Sequence, residues 1–399
     1  MKLFEKDELK LLWLFYLESF VSSLLFFAPA FFIIYFIGLG FSFFKISLIM
    51  TMPALASIIF EIPTGAFADN YGRKYSVIIS NILVALCFFA MIFFTDFTSI
   101  LIIFFLFGLA ITFGSGAFEA WVVDLINKDN KKLLNNFFVK NQSIHSASLF
   151  ISGFLGVFMV AKFGLSIIWS TAVVTFVISA IILLFGKEEF SKKNYPLSKS
   201  YKNIKKQTKK SLKYTYNHKT LFYFILAGMI YVIADSLGGQ AAWIPFLDGL
   251  GFPDYAFGYL WSLIGFISII ATISSQYFYK KNKEINYIVK ASIIVSIILI
   301  PLFFINSFIW ALVVFSIMMF FEISKGPALK VYFHRFIPKN MRATIGSTES
   351  MIYSLAGVIS LPLTGYLIDT IGARYTIILS AFVAIPSIII YSLINNKLK

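Results

Sequence analysis

Twelve apolar stretches, each close to the length of a membrane-spanning helix, follow one another along this chain of 399 residues. A helix rises about 1.5 Å per residue, so roughly 20 apolar residues cross the hydrocarbon core of a bilayer. Segments of about ten residues with alternating polarity, typical of outer-membrane barrels, do not occur. Because a helix satisfies its own backbone in lipid, the sequence predicts an all-α membrane protein with twelve transmembrane helices. The predicted spans are residues 11–37, 44–66, 76–94, 99–123, 141–161, 165–186, 220–247, 256–279, 286–305, 308–332, 343–368 and 374–394.

The composition argues against a water-soluble fold. Hydrophobic residues make up 59% of the chain and charged residues only 13%, whereas a soluble chain is about 25% charged. The net charge of +15 could indicate a nucleic-acid partner, but the basic residues occur in short runs between the apolar stretches. We therefore expect a lipid bilayer around the protein and no nucleic-acid partner.

The distribution of Lys and Arg predicts the orientation, since cytoplasmic loops are enriched in them. With a cytoplasmic N-terminus and alternating spans, about thirty of the 34 basic residues fall on the cytoplasmic side. The outer loops contain Lys45, Lys162 and Arg374. This asymmetry predicts that both termini are cytoplasmic.

One long connection divides the chain. Residues 187–219 contain eleven Lys residues and no long apolar run, so we interpret them as a basic cytoplasmic linker. The linker separates residues 1–186 from residues 220–399, and each of these parts contains six predicted spans. The sequence thus predicts two six-helix bundles.

A short loop pattern occurs twice. Residues 65–74 read GAFADNYGRK after the second span, and residues 365–374 read GYLIDTIGAR after the eleventh. Both contain Gly-x3-Asp-x2-Gly followed by a basic residue. Three-helix units repeated four times would place such copies after spans 2, 5, 8 and 11, so the repeat favours two pseudo-symmetric halves.

The residues of the first copy, which we call the first signature loop, have separable physical roles. Gly65 would let the second helix pack closely on a neighbour, and Gly72 permits a tight turn. Asp69 could face the positive N-terminal end of another helix. Arg73 can pair with Asp69 and with a second carboxylate, for which Asp124 is the best-placed candidate.

The twelve spans, the basic central segment and the loop Gly65-x3-Asp69-x2-Gly72-Arg73-Lys74 resemble the major facilitator superfamily over nearly the whole chain. This resemblance implies two pseudo-symmetric six-helix bundles and transport by alternating access. It also implies that Asp69 meets the start of the eleventh helix, and that a cluster latches the two halves in the outward-open state. The implied latch comprises Gly65, Asp69, Gly72, Arg73, Lys74 and Asp124.

Two other segments bear on the branch of the superfamily. Residues 61–64 (EIPT) and 119–124 (EAWVVD) resemble a prokaryotic branch commonly labelled as drug or general efflux transporters. Two patterns of the superfamily's proton antiporters are missing. Phe104 and Phe105 stand before Gly108 where an Arg is usual, and residues 152–156 lack the usual Pro. These departures weaken the assignment to drug/proton antiporters and leave the fold prediction unchanged.

Ionisable side chains within the spans are the candidates for ion coupling or substrate binding, because each costs about 3 kcal/mol or more at the bilayer centre. Glu18, which shares much of its helix face with serines, could exchange a proton near neutral pH. Asp235 precedes Gly238 and Gly239, where the helix could bend or open. Both carboxylates could also be structural, hydrogen-bonded groups.

The other interior candidates have more local interpretations. Glu322 and Lys325 are three residues apart and are expected to neutralise each other, ahead of a break or kink at Gly326-Pro327. Glu119 could bind a proton or pair with Lys140, and a hydrogen-bonded neutral form is favoured for His145. The candidates are Glu18, Glu119, His145, Asp235, Glu322, Lys325 and Glu349.

No phosphate-binding loop, zinc-ligand spacing or hydrolase motif occurs, so we expect no enzyme activity, no cofactor and no metal. The richness in Lys, Ile, Asn and Phe favours a prokaryotic source, and the location is then the cell membrane. We predict a monomeric secondary transporter that moves a small hydrophobic solute by proton-coupled efflux. A proton symporter or facilitator that takes up a nutrient or lipid stays open as an alternative. A receptor or scaffold derived from a carrier, and a membrane enzyme, are less favoured.

Overall fold

The computed structural model describes residues 8–126, 131–188, 213–278, 283–337 and 342–397, and this part of the chain contains helices and no strands. The helices of seven or more residues are α1 (Glu8–Leu25), α2 (Phe32–Gly38), α3 (Phe43–Tyr71), α4 (Arg73–Ala90), α5 (Phe97–Gly114), α6 (Ala117–Leu125), α7 (Lys131–Phe163), α8 (Ile167–Leu184), α9 (Lys219–Gly238), α10 (Gln240–Gly249), α11 (Phe257–Phe278), α12 (Glu284–Ile298), α13 (Phe308–Arg335), α14 (Arg342–Ile371), α15 (Ala373–Val383) and α16 (Ile385–Lys397). Most of the predicted linker, residues 189–212, lies outside the described residues.

Twelve helical stretches in the described ranges are long and apolar enough to cross a membrane. They coincide with the twelve predicted spans, so the prediction of an all-α protein with twelve transmembrane helices is confirmed. Four of the twelve consist of two helices joined end to end, which the apolar runs alone did not show. These are α1 with α2, α5 with α6, α9 with α10, and α15 with α16.

Local backbone chemistry explains three of these interruptions. The break between α5 and α6 falls at Gly116, whose φ of +69° is a left-handed conformation that favours glycine. Gly239, with φ of −84° and ψ of −170°, separates α9 from α10, which agrees with the predicted opening at Gly238 and Gly239. The chain between α1 and α2 contains Pro29 in a short 3-10 helix at Ala28–Ala30.

One predicted break is not found. The sequence predicted a break or kink at Gly326-Pro327, and α13 continues without a break from Phe308 to Arg335 with Pro327 inside it, so the kink stays a prediction. A proline removes one backbone donor and clashes with the preceding turn, but membrane helices tolerate it where neighbouring groups and small local adjustments satisfy the freed carbonyl.

The chain divides into two compact units. Unit 1 comprises residues 1–35, 52–201 and 255–265, and unit 2 comprises residues 36–51, 202–254 and 266–399. Each has its own buried aromatic core, centred on Phe15, Trp121 and Phe137 in unit 1 and on Phe224, Tyr332 and Tyr391 in unit 2. The predicted division at residues 186 and 220 stays a prediction.

Candidate functional site

The first signature loop joins α3 to α4 in unit 1. Gly72 has a φ of +110°, which a side chain would strain, and this lets α3 end and α4 begin within one residue. Arg73 donates from Nη1 to the carbonyl oxygen of Ala120 at 2.5 Å and to the carboxylate of Asp124. Asp69 Oδ1 lies 4.0 Å from Arg73 Nη2, and 59% of the Asp69 side-chain surface is exposed. The structure thus brings Asp69, Arg73 and Asp124 together, while their role as a latch stays a prediction.

Gly65 does not pack as expected. It is exposed, and a Cβ atom added there would meet no atom of the described residues within 4 Å. Close packing at Gly65 is therefore not found among the described residues, and the place of Gly65 in the latch stays a prediction. Gly365, at the corresponding place in the second copy, is the one that is closely packed. A Cβ atom there would overlap the carbonyl oxygen of Phe43 and the hydroxyl of Ser47.

The sequence analysis missed a carboxylate beside the first signature loop. Glu188 Oε1 accepts hydrogen bonds from the backbone amides of Arg73 at 2.5 Å and Lys74 at 3.1 Å, so it caps the N-terminus of α4. In return, Lys74 Nζ donates to the carbonyl oxygens of Leu184 and Gly186, both at 2.8 Å, at the end of α8. The signal in the sequence was a pair of acidic residues, at positions 188 and 189, at the start of an otherwise basic segment.

The second signature loop, residues 365–374, joins α14 to α15 in unit 2. Gly372 has a φ of +86°, so the backbone turns as it does at Gly72. The Asp369 carboxylate accepts hydrogen bonds from the first two amides of α3, those of Phe43 at 2.9 Å and Phe44 at 2.8 Å. Arg374 donates to carbonyl oxygens in the loop between α12 and α13. This loop therefore fastens the start of α3 to the end of α14.

Glu18 lies inside the first span of unit 1. Its carboxylate is adjacent to the hydroxyls of Ser22 on α1 and Ser179 on α8. In the same unit, Ser23 Oγ and His145 Nδ1 are 2.6 Å apart and link α1 to α7. The structure thus places both candidates on α1 and its neighbours, each beside serine hydroxyls.

The possible pairing of Glu119 with Lys140 is not found. Lys140 Nζ instead lies 2.7 Å from both carboxylate oxygens of Glu8, which also accepts a hydrogen bond from Tyr16 at 2.8 Å. Glu8 is fully buried at the start of α1, against α7, so it is the nearer and less solvated partner. Glu119 is exposed in the first turn of α6, where the positive end of the helix dipole favours a carboxylate.

Unit 2 contains a compact ionic cluster on α9 and α13. Lys325 is 2% exposed, and its Nζ lies 2.9 Å from Glu322 Oε2 and 3.0 Å from Oε1. The hydroxyl of Tyr231 donates to the same carboxylate, and Lys325 Nζ lies 3.6 Å from the centroid of the Tyr231 ring. Two donors and one aromatic face thus hold this pair in place, as the three-residue spacing predicted.

Asp235, one turn after Tyr231 on α9, lies beside this cluster without joining it. Its side chain is solvent-accessible and lines a cavity of about 30 Å³ between α9, α12, α13 and α15. Glu322 lines the same cavity, as do Ser292 and Ser296 of α12. The remaining candidate, Glu349 on α14, lies apart from the cavity with Tyr353 one turn away.

No group of three or more His, Cys, Asp and Glu side chains in the described ranges could hold a metal ion. In these ranges, neither Glu18 nor Asp235 has a basic side chain at salt-bridge distance, whereas Glu8 and Glu322 each bind a lysine. Glu349 likewise has no basic side chain at salt-bridge distance in these ranges, and all three carboxylates stay candidates for ion coupling.

Comparison with known sequences places the chain in a family. A sequence profile of the Major Facilitator Superfamily matches residues 15–360. The chain belongs to the Major Facilitator Superfamily. This transporter is 26% identical over 377 residues to the uncharacterized MFS-type transporter YxaM of Bacillus subtilis (strain 168), and the alignment covers 91% of this chain and 90% of YxaM. It is accordingly a secondary transporter and a multi-pass membrane protein.

Solved structures show the same fold. The nucleoside transporter NupG superposes with a TM-score of 0.75 at 12% identity, covering 98% of this transporter and 99% of NupG. The POT family transporter PepTSo superposes with a TM-score of 0.76 at 10% identity, covering 96% and 97% of the two chains. At identities this low, the TM-scores establish a shared fold and nothing more. That fold confirms the predicted superfamily architecture.

Proposed function

We propose that this transporter exports a small hydrophobic solute in exchange for protons, by alternating access in a prokaryotic cell membrane. The observation that carries the proposal is the pair of carboxylates Glu18 and Asp235, one in each unit. Both lie inside spans, and neither has a basic partner in the described ranges. Glu18 adjoins serine hydroxyls, and Asp235 lines a cavity together with Glu322. We further propose a monomer with two six-helix bundles, residues 1–186 and 220–399.

The chemistry of these carboxylates suits proton coupling. A charged carboxylate at membrane depth is costly, so it must be protonated, paired or in contact with water. Glu322 is paired with Lys325 and hydrogen-bonded to Tyr231, and its charge is already compensated. Glu18 and Asp235 have no such compensation, so a change from water to a closed environment would shift each towards its protonated form. That is the cycle a proton-coupled carrier needs.

Export is supported by the sequence rather than by the interior charges. Residues 61–64 and 119–124 resemble the efflux branch of the superfamily. In addition, the contact of Arg73 with Asp124 provides the local part of the proposed cytoplasmic latch, with Asp69 as the residue that would meet the start of α14 when the latch closes.

Uptake of a nutrient is the second candidate. The similar solved structures include a nucleoside transporter and a POT family transporter, and the missing antiporter patterns weaken the assignment to drug/proton antiporters. The two candidates differ in the direction in which a proton gradient drives the solute.

Transport in proteoliposomes tests the proposal. With an imposed proton gradient, we expect counter-transport of lipophilic dyes and drugs by the wild type and loss of gradient-driven transport in Glu18→Gln and in Asp235→Asn. Asp96→Asn, which changes an exposed carboxylate outside the spans, is the matched control and should retain transport. Solute movement in the same direction as the protons would favour uptake. Normal gradient-driven transport in both interior variants would refute proton coupling at these residues.

A further inference from the structure

The outer ends of two helices pack on helices that the sequence assigns to the other predicted bundle. The start of α3 belongs to unit 2 and the start of α11 belongs to unit 1, although the sequence predicts α3 within residues 1–186 and α11 within residues 220–399. Both helices begin at the outer surface in the predicted orientation. Each contact therefore lies within one unit and joins, at the outer side, two helices that alternating access requires to separate.

The contact in unit 2 holds the first turn of α3 against the last turns of α14. A Cβ atom on Gly365 would overlap the carbonyl oxygen of Phe43 and the hydroxyl of Ser47. One turn later on the same face of α14, the Asp369 carboxylate accepts hydrogen bonds from the amides of Phe43 at 2.9 Å and Phe44 at 2.8 Å. Close backbone packing and a charged acceptor thus act on the same turn of α3.

The amides that Asp369 binds cannot be satisfied within α3, because the first amides of a helix have no carbonyl one turn earlier. Ser42 Oγ accepts from the next amide, that of Lys45, at 3.4 Å. The acceptor for the first two amides comes from 326 residues away, and the positive end of the helix dipole favours its charge. Asp369 is exposed, so water can replace both partners when the contact opens. The cap is therefore reversible.

The contact in unit 1 is of a different kind. Gly153 on α7 and Gly258 on α11 approach so closely that a Cβ atom on Gly153 would overlap the carbonyl oxygen of Gly258 and the hydroxyl of Ser262. Ser262 also donates to the carbonyl oxygen of Phe150 at 2.6 Å. Small residues let membrane helices pack in this way. The contact in unit 2 is thus the one in which removal of a carboxylate would weaken the closure without creating a clash.

We infer that Asp369 is an outer latch, which holds the start of α3 against α14 while the outer side is closed and releases it when that side opens. Asp69, at the corresponding place in the first signature loop, is expected to meet the start of α14 at the cytoplasmic side. The aspartate near the end of each helix would then cap the start of the other.

The two aspartates differ here as alternate engagement requires. Asp369 caps α3, whereas 59% of the Asp69 side-chain surface is exposed. The inference rests on the alternating access of the proposed function, and it is independent of the solute, the coupling ion and the direction of transport.

Pulsed EPR distances in the full-length protein test the outer latch. Serine replaces Cys87, the one cysteine of the chain, and spin labels are attached to Lys162→Cys at the end of α7 and Phe304→Cys after α12, both exposed and on the predicted outer side. Asp369→Ala should raise the ratio of outward-open to outward-closed distances by about 5- to 30-fold, as loss of a helix cap would. Asp369→Asn keeps one acceptor oxygen but turns an NH2 group towards the other amide, so it should shift the ratio in the same direction.

Asp96→Ala is the matched control, because Asp96 caps α5 within its own turn at the same side of the membrane. This variant should keep the distance distribution of the labelled parent. An unchanged distribution in either Asp369 variant overturns the inference, and so does an equal shift in Asp96→Ala, which would mean that weakening any outer cap opens the protein. Neither result bears on gradient-driven transport in Glu18→Gln and Asp235→Asn, so the outer latch and proton coupling can fail separately.

Discussion

The two signature loops share a backbone and differ in what their side chains bind. In both, the second glycine has a positive φ, and one helix ends and the next begins around it. In unit 1, Arg73 binds Asp124 and Ala120, and Asp69 is mostly exposed. In unit 2, Asp369 caps the start of α3. The repeated pattern therefore specifies the turn of the backbone. The group that its aspartate binds depends on which helix N-terminus lies nearby.

The first glycines of the two loops differ most, and substituting them should give the largest contrast. A Cβ atom at Gly365 would overlap the backbone of Phe43 and the Ser47 hydroxyl, whereas one at Gly65 would meet no atom in the described part of the chain. Overpacking costs about 1–3 kcal/mol, so Gly365→Ala should lower the Tm by several degrees. Gly65→Ala should be neutral or stabilise by up to about 1 kcal/mol, since alanine favours helix interiors. Thermal unfolding in detergent measures both, and equal shifts would show that the packing at Gly365 is not needed for stability.

The aspartates give the next contrast. Asp369→Ala removes the acceptor of two amide hydrogen bonds at a helix N-terminus, which is worth about 1–2 kcal/mol. Asp69→Ala removes an exposed carboxylate 4.0 Å from Arg73, and such pairs contribute about 0–1 kcal/mol. Hydrogen exchange should also show where the change occurs. The backbone amides of Phe43 and Phe44 should exchange faster in Asp369→Ala than in the wild type, and at the wild-type rate in Asp69→Ala. Unchanged exchange at those amides would contradict a capping role for Asp369.

The features that were predicted correctly from the sequence depend on short-range patterns. Twelve spans follow from runs of apolar residues, and the turns at Gly72 and Gly372 follow from the spacing of the repeat. The breaks at Gly116 and Pro29 lie within continuous apolar runs, and a count of apolar residues does not register them. Their signal was the presence of Gly or Pro, which also occurs at Pro327 without breaking α13.

Contacts between distant parts of the chain could not be predicted. Lys140 pairs with Glu8, 132 residues away, rather than with Glu119, and Glu188 caps a helix that begins 115 residues earlier. The predicted pairs at Arg73 and Lys325 were found because each involves either a near neighbour or a motif with a known partner. The cavity of unit 2 requires four helices to converge, and only the structure shows that Asp235 and Glu322 line one space.

A third cap offers the smallest and most controlled test, because it is entirely local. Asp96 accepts a hydrogen bond from the amide of Ser99 at 2.9 Å and caps α5 within its own turn, unlike the long-range cap at Asp369. The hydrogen bonds from Ser99 lower the pKa of the Asp96 carboxyl below its ordinary value. A group with a lowered pKa adds stability above its unfolded-state pKa and loses it as the pH falls through the folded-state pKa.

Asp96→Asn isolates the contribution of the carboxylate's charge to stability, since asparagine is an equally good cap without the charge. We expect the wild type to be slightly more stable than the variant near pH 7, and the difference to shrink as the pH falls through the unfolded-state pKa and then the folded-state pKa of Asp96. The difference in Tm between the two proteins, measured as the pH is lowered, cancels the titration of all other acids. A difference that does not change with pH would mean that the carboxylate's charge does not stabilise the cap. The local cap at Asp96 and the long-range cap at Asp369 would then be distinguished by their hydrogen-bond geometry alone.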